Sequence, residues 1–338
     1  MPATDIIEKY VETDGVRWRY LDAGTGDAIV LLHGGTAGAT AYCGIAEIWG
    51  PWISVLAKTH RVIAFDMPGS GTTNIREFAD LTVEGTTRLV AVALAELELS
   101  EAHLVAHAES ALCALRLARE GYAGGKVLSC TILSSHQASP TGDGLENLTL
   151  INPPREGQQA WALDRLSYTP HHITPELLAQ LKEGWNGPAH QEATRTLTAP
   201  EADGARKAEI ARAKAELHEY CRDTGYDLPV SIILGADDPT TTIAHGYEFM
   251  RFMSTTRSHL SFHIMNRVGH FPFREAPHEL ARLVLPLLGT SLTGNHPERE
   301  LLSSGPQERT FAPRATDSTS STAPSIPDYA ARQSMETS

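Results

Sequence analysis

The amino-acid sequence predicts an α/β fold with a mostly parallel sheet and flanking helices. Short apolar runs alternate with segments of helical periodicity through the first half of the chain, as a parallel sheet with crossover helices requires. Two segments at helical spacing, residues 81–99 and 109–120, each stand between two apolar runs of strand length. The strands predicted in this half are residues 16–21, 28–32, 61–65, 103–106 and 126–133.

The pattern changes over residues 137–226, where short amphipathic segments are broken by Pro and Gly. This change predicts a helical cap inserted above the sheet, with one helix starting at Thr174-Pro175-Glu176 and another over residues 200–221. The last part of the chain, residues 291–338, is rich in Ser, Thr, Pro and charge and is predicted to be disordered. The predicted core therefore comprises residues 1–136 and 227–290, the second part with strands at 230–234 and 260–265 and a helix at 277–288.

Composition narrows the function to small-molecule chemistry. The 338 residues are 41% hydrophobic and 20% charged, which is typical of a globular enzyme. A formal net charge of −13 without a Lys/Arg stripe argues against a nucleic-acid partner. The four cysteines lie far apart, so neither a zinc site nor a disulfide framework is expected. We expect a cytoplasmic protein with no membrane partner, because neither a signal peptide nor a run of ~18 apolar residues is visible. No metal or cofactor is expected either. The oligomeric state is left open.

Two glycine-containing motifs each follow a predicted strand. In the segment 31–35, His33-Gly34-Gly35 allows the backbone to present N–H groups to a developing oxyanion, which side chains with a Cβ would obstruct. The segment 66–71, Asp-Met-Pro-Gly-Ser-Gly, is interpreted as a tight turn that shapes the loop beneath a pocket. Neither motif is specific when taken alone.

The motif that decides the chemistry is Ala106-His107-Ala108-Glu109-Ser110, which joins a strand directly to a helix. In a nucleophile elbow, written G-x-S-x-G, a sharp turn lifts the nucleophile off the sheet between two small residues. Here the small residues are Ala106 and Ser110, and the centre is Ala108. A methyl group cannot attack a carbonyl, so covalent acyl-enzyme chemistry from residue 108 is excluded.

An acid and a histidine follow in the order that completes a triad. Asp237 and Asp238 come just after one late strand, and His270 comes after the next. With these motifs in this order, the chain resembles an α/β-hydrolase over roughly residues 7–288. In its Asp-Met-Pro-Gly-x-Gly turn it is most similar to the meta-cleavage-product (carbon–carbon bond) hydrolase branch.

The resemblance implies a role for each matched position. Asp238 becomes the acid, with Asp237 as the alternative, and His270 becomes the base. The Gly34-Gly35 turn and the backbone N–H of Glu109 become the oxyanion-binding groups around Ala108. A histidine held by a carboxylate is a competent general base without a serine, because its pKa lies near neutrality. The sequence therefore predicts an enzyme that acts on a small carbonyl-containing metabolite through a His–Asp dyad, by hydrolysis or by a lyase, isomerase, cyclase or oxygenation step.

Several alternatives stay open at the level of sequence. The Glu109 side chain is interpreted as satisfying the helix N-terminus, with a role as an acid as the alternative. Ser110 could replace the nucleophile, although it occupies the position of a small flanking residue, and His107 is taken as structural. Ser134, Ser135 and His136 could line the same pocket. The whole protein could also be a ligand-binding pseudoenzyme, or Ala108 could be an introduced substitution for serine.

Overall fold

Eight strands form one sheet in the order β1-β2-β4-β3-β5-β6-β7-β8. The computed structural model describes residues 5–38, 40–137, 139, 157–255 and 259–288. The pairs β1/β2 and β2/β4 are antiparallel and the other five pairs are parallel. The strands are β1 (Ile6–Thr13), β2 (Val16–Ala23), β3 (Ala28–Leu32), β4 (Arg61–Phe65), β5 (Glu101–His107), β6 (Lys126–Leu133), β7 (Pro229–Gly235) and β8 (His259–Met265). The predicted α/β-hydrolase class is confirmed.

Both faces of the central strands are covered by apolar clusters. In β3 every residue is buried; Val30 and Leu32 belong to one cluster, and Ile29 and Leu31 belong to the other. This alternation follows from the two-residue period of a strand, and it explains why central parallel strands appear as continuous apolar runs in the sequence. The predicted bounds of β3, β4 and β6 coincide with the observed ones.

The α-helices cover the sheet and fill the connection between β6 and β7. They are α1 (Pro51–Leu56), α2 (Val83–Glu96), α3 (Ala111–Glu120), α4 (Gln158–Leu166), α5 (Pro175–Asn186), α6 (Pro188–Thr198), α7 (Pro200–Asp223), α8 (Ile243–Met253), α9 (Pro272–Glu275) and α10 (Pro277–Leu288). Short 3₁₀ helices occur at Ala46–Trp49, Phe78–Leu81, Ala108–Ser110 and Pro170–His172. No helix among the described residues is both long and apolar enough to cross a bilayer.

Several elements differ from the sequence-based expectation. The helix predicted to start at Glu109 begins at Ala111, because the preceding turn at Ala108–Ser110 is a 3₁₀ helix. The predicted start at Thr174 is observed, with its hydroxyl accepting a hydrogen bond from the Leu177 N–H. The strand β1 was not predicted, because it lies at the antiparallel edge and most of its residues are exposed. The predicted disordered tail, residues 291–338, lies outside the described residues.

Candidate active site

The predicted site residues lie on the loops that follow four strands of the sheet. Gly34 and Gly35 follow β3, Ala108 follows β5, Asp238 follows β7 and His270 follows β8. Because β3 and β5 run parallel, as do β7 and β8, these loops leave the same edge of the sheet. The carboxyl edge of a parallel sheet is where ligands bind in open α/β folds.

Ala108 occupies the tip of a sharp turn between β5 and α3. Its φ is +49°, a conformation that costs a residue with a Cβ about 1 kcal/mol. The turn comes so close to the loop after β3 that a Cβ built on Gly34 would lie 2.7 Å from the Ala108 Cβ. Glycine at position 34 is therefore required by close packing against the turn.

His270 and Asp238 form a buried hydrogen-bonded pair. The His270 Nδ1 lies 2.8 Å from the Asp238 Oδ2, and both residues are about 4% exposed. The other carboxylate oxygen, Oδ1, accepts hydrogen bonds from the backbone N–H groups of Thr240 and Thr241 and from the Thr240 hydroxyl. Asp237, the alternative acid, is exposed. Of the two aspartates, the structure brings Asp238 to the histidine.

The pair shifts both pKa values in the direction that favours an ion pair. Burial alone would raise the pKa of Asp238, but the charge and hydrogen bond of His270, with the backbone N–H donors, hold it below its usual range. Burial alone would lower the pKa of His270, but Asp238 and then Glu109 raise it. The imidazole is thus a stronger base than a free histidine.

The loop that carries His270 is fixed by a carboxylate that the sequence analysis missed. Glu275 Oε1 accepts hydrogen bonds from the backbone N–H groups of Gly269, at 3.0 Å, and of Phe271, at 3.3 Å. Its Oε2 accepts from the N–H of Tyr168, beyond α4, at 2.8 Å, and the His270 N–H itself donates to the Leu166 carbonyl. Burial raises the pKa of Glu275. No sequence motif identifies it, because its partners are backbone groups.

His107 and Ser110 both make structural contacts, as the sequence analysis favoured. The His107 Nε2–H donates to the backbone carbonyl of His270 at 2.9 Å, and burial holds its pKa well below the ordinary value, so the ring is neutral. The Ser110 hydroxyl donates to the carbonyl of His33 at 2.5 Å. Ser110 therefore serves to join the turn to β3.

The expected oxyanion-binding group at Gly35 has a partner already. The Gly35 N–H donates to the side-chain carboxylate of Glu109, 2.9 Å from its Oε2. The sequence analysis assigned this N–H to a substrate oxygen, and it interpreted the Glu109 side chain as satisfying the helix N-terminus, with a role as an acid as the alternative. The difference arises because the Glu109 side chain, in the first turn after Ala108, folds back onto the glycine loop.

Tyr42 is a second residue that the sequence analysis missed. Its ring lies edge-on to His270 and to Phe271, with centroid separations of 6.2 and 5.2 Å. Its hydroxyl is buried and has no hydrogen-bond partner among the residues that the structure describes. Burial, followed by the nearby charges of Glu109 and Asp238, raises the pKa of Tyr42 well above its ordinary value, so the hydroxyl keeps its proton. It is an unused donor beside the candidate base.

The polar residues at the end of β6 also lie next to the pair. Ser134 has a φ of +45°, and its carbonyl accepts a hydrogen bond from the Thr241 hydroxyl. Its own hydroxyl is buried and finds no hydrogen-bond partner in the described part of the chain. His136 is 4% exposed, and burial lowers its pKa to about 4. Among the residues that the structure describes, no group of three His, Cys, Asp or Glu is arranged to hold a metal ion.

Most of this chain matches the model of one protein family. The model described as "Alpha/beta hydrolase family" matches residues 29–283, which span the sheet from β3 to β8 and every residue of the site. The chain belongs to the alpha/beta hydrolase family. A curated relative, the 2-hydroxy-6-oxo-6-(2'-aminophenyl)hexa-2,4-dienoic acid hydrolase of Metapseudomonas resinovorans, is 46% identical over 70 residues, which is 20% of this chain. That match spans only 22% of the relative's length.

A second curated relative and several solved structures extend the similarity. The 3-oxoadipate enol-lactonase 1 of Acinetobacter baylyi is 28% identical over 211 residues, covering 60% of this chain and 71% of the relative. A serine-to-alanine mutant of the meta-cleavage product hydrolase of Pseudomonas fluorescens IP01, complexed with acetates, has a TM-score of 0.66 at 23% identity, covering 82% of this chain and 96% of that one. The predicted similarity to meta-cleavage product hydrolases is confirmed, and at this level of identity the solved structures show the fold alone.

Proposed function

We propose that this protein is an enzyme that acts on a small carbonyl-containing metabolite, with His270 as general base and Asp238 as its partner, and without a covalent intermediate. The observation that carries the proposal is the buried 2.8 Å hydrogen bond between the two side chains. General-base catalysis by a positioned histidine contributes about 10²- to 10⁴-fold to a rate.

The bond defines which imidazole nitrogen reacts. The Nδ1–H donates to Asp238, which leaves the lone pair of Nε2 to accept a proton from the substrate or from water. The carboxylate stabilises the imidazolium that forms. The N–H groups of Thr240 and Thr241 and the Thr240 hydroxyl hold Asp238 in place. Glu275 and the Leu166 carbonyl hold the loop that carries His270.

Two observations favour proton transfer over acyl transfer. Ala108 has no lone pair with which to attack a carbonyl, and the Ser110 hydroxyl is bound to the His33 carbonyl. The Gly35 N–H, which would stabilise a tetrahedral oxyanion, is bound to Glu109. Proton removal from a carbon or hydroxyl of the substrate needs no nucleophile, and the buried Tyr42 hydroxyl is available as a donor to the oxygen on which charge develops. Hydrolysis by an activated water would require Glu109 to move.

We also propose that residues 157–226 form a cap over this site, with a small-molecule substrate held between the cap and the sheet. Residues 140–156 of the predicted cap lie outside the described residues. Two contacts support this role: Leu166 accepts the hydrogen bond of the His270 N–H, and Tyr168 donates to Glu275. Backbone groups of Leu166 and Tyr168 thus connect the proposed cap to the loop that carries His270.

The test is turnover of a panel of small ketones, enols, lactones and esters, followed by mass spectrometry. We expect at least one compound to be converted, with the rate falling at least about 10²-fold in His270→Ala. The control is His259→Ala, which changes an exposed histidine of β8. Retention of activity in His270→Ala would contradict the proposal. Ligand binding with no turnover across the panel would favour the second candidate, a binding protein, to which Ala108 also points.

A further inference from the structure

We propose that the Glu109 carboxylate selects the charge of the ligand, so that the site takes an uncharged molecule whose O–H or N–H donates to Glu109 and rejects a carboxylate at Gly35. This inference rests on the proposed function only for the statement that the substrate binds here. It names a substrate class: neutral carbonyl compounds that carry a hydrogen-bond donor, such as amides and hydroxyketones.

The Glu109 side chain lies against the glycine loop after β3. Its Oε2 accepts from the Gly35 N–H at 2.9 Å, and a Cβ built on Gly34 would lie 2.7 Å from the same oxygen. The carboxylate therefore packs against the glycine loop where an anionic ligand oxygen would have to bind. An ionised carboxylate accepts hydrogen bonds only, and its two oxygens offer about four acceptor positions. One position is used by Gly35, so the next partner to bind there must be a donor.

The cavity that Glu109 lines has more acidic than basic residues in its lining. This cavity, of about 80 Å³, is bounded by Gly34 and Glu109 on one side and by α7 on the other. Its lining residues include two acidic residues, Glu109 and Glu209, and one basic residue, Arg206. His33 also lines it but is neutral, since burial lowers the pKa of His33 to about 4. The carboxylates outnumber the cation, so the field in the cavity opposes a ligand anion.

The size of the expected effect follows from Coulomb's law. An anionic ligand whose charge lies 4 Å from a like unit charge binds about fivefold more weakly at the dielectric constant of water. At the dielectric constant typical of a protein surface, it binds about a thousandfold more weakly. A neutral amide of the same shape avoids this cost and gains a charge-assisted hydrogen bond to Glu109. We therefore expect an amide to bind at least about tenfold more tightly than the matched acid.

The experiment measures the dissociation constants of benzamide and benzoate, and of the smaller pair acetamide and acetate, by NMR titration of the Gly35 amide signal. Wild-type protein is compared with Glu109→Gln, which keeps an oxygen for the Gly35 N–H but removes the charge. The matched control is Glu209→Gln, which removes a charge from the same cavity without touching Gly35. Circular dichroism verifies that all variants are folded.

We expect wild type and Glu209→Gln to prefer the amide at least about tenfold, and Glu109→Gln to lose or reverse that preference. Equal binding of acid and amide by wild type would overturn the proposal, as would an equal response of both variants. Failure of both probe pairs to bind any of the three proteins would overturn it too. Binding requires no proton transfer, so His270→Ala should keep the preference. A retained preference with unchanged turnover in His270→Ala would refute the proposed function alone.

Discussion

The carboxylate of Glu109 accepts a hydrogen bond from the backbone N–H of Gly35, with 2.9 Å between Oε2 and the nitrogen. This bond joins the turn after β5 to the loop after β3, the two segments that build an oxyanion hole in this family's catalytic arrangement. Together with the methyl side chain of Ala108, it disfavours acyl transfer at this site, in keeping with the proton transfer that we propose for His270.

Restoring a hydroxyl at the turn should restore covalent reactivity. In Ala108→Ser, we expect a fluorophosphonate to label residue 108, because the turn places that side chain at the carboxyl edge of the sheet with the His270–Asp238 pair. Wild type should give no adduct by intact-mass analysis. Adding Glu109→Gln should speed labelling, since the negative charge beside Gly35 is then removed. An adduct on Ser110 of the wild type would contradict the role assigned to its hydroxyl.

Replacing Asp238 by a neutral side chain should make His270 a weaker base and lower its pKa. In Asp238→Asn we expect turnover to fall by about 10²- to 10⁴-fold, because the amide neither stabilises the imidazolium nor holds the Nδ1–H tautomer. Asp238 raises the pKa of His270, so the acid limb of the pH–rate profile should move to lower pH in the variant. The profile of kcat/KM against pH measures the shift. A limb that stays in place would show that Asp238 does not set the basicity of His270.

Tyr42→Phe should lower turnover without lowering the free energy of unfolding. The Tyr42 hydroxyl is buried, and no described residue forms a hydrogen bond with it, a state that costs about 1–3 kcal/mol. Its removal should therefore leave the free energy of unfolding unchanged or raise it. If the hydroxyl donates to the bound substrate, turnover falls at the same time. Urea unfolding and kcat are measured on the same preparation. A loss of stability together with activity would mean that Tyr42 is a structural residue only.

Acidification should destabilise the fold through its buried neutral histidines. Burial lowers the pKa of several histidines to about 4, so the folded state keeps them neutral while the unfolded chain binds protons from pH 6.5 downwards. Their stabilising contribution is complete above the unfolded pKa of 6.5 and is lost as the pH falls through about 4. The histidines concerned are His33, His103, His136, His172 and His190.

Urea unfolding at several pH values between 7.5 and 4 tests this expectation. The free energy of unfolding should fall by more than about 1.4 kcal/mol per pH unit below pH 6, the slope for a single proton. His190→Gln should reduce that slope by about one proton. A profile without slope in this range would show that these histidines are accessible to protons in the folded state.

The sequence was informative where local pattern and tertiary structure agree. The strand β3 is buried along its whole length, so its apolar run located it to the residue, and motif order identified Asp238 and His270. The strand β1 escaped notice because an exposed antiparallel edge needs no apolar run. The contacts of Glu109, Tyr42 and Glu275 could not be predicted, because they depend on the direction of a side chain or on backbone partners distant in sequence.

The central claim is that His270 removes a proton from a carbonyl substrate. It is tested most directly by incubating a converted or bound ketone in D₂O and following deuterium at the carbon next to the carbonyl by NMR. We expect wild type and His259→Ala to incorporate deuterium, and the rate of incorporation to fall at least about 10²-fold in His270→Ala. Equal incorporation by wild type and His270→Ala would contradict it.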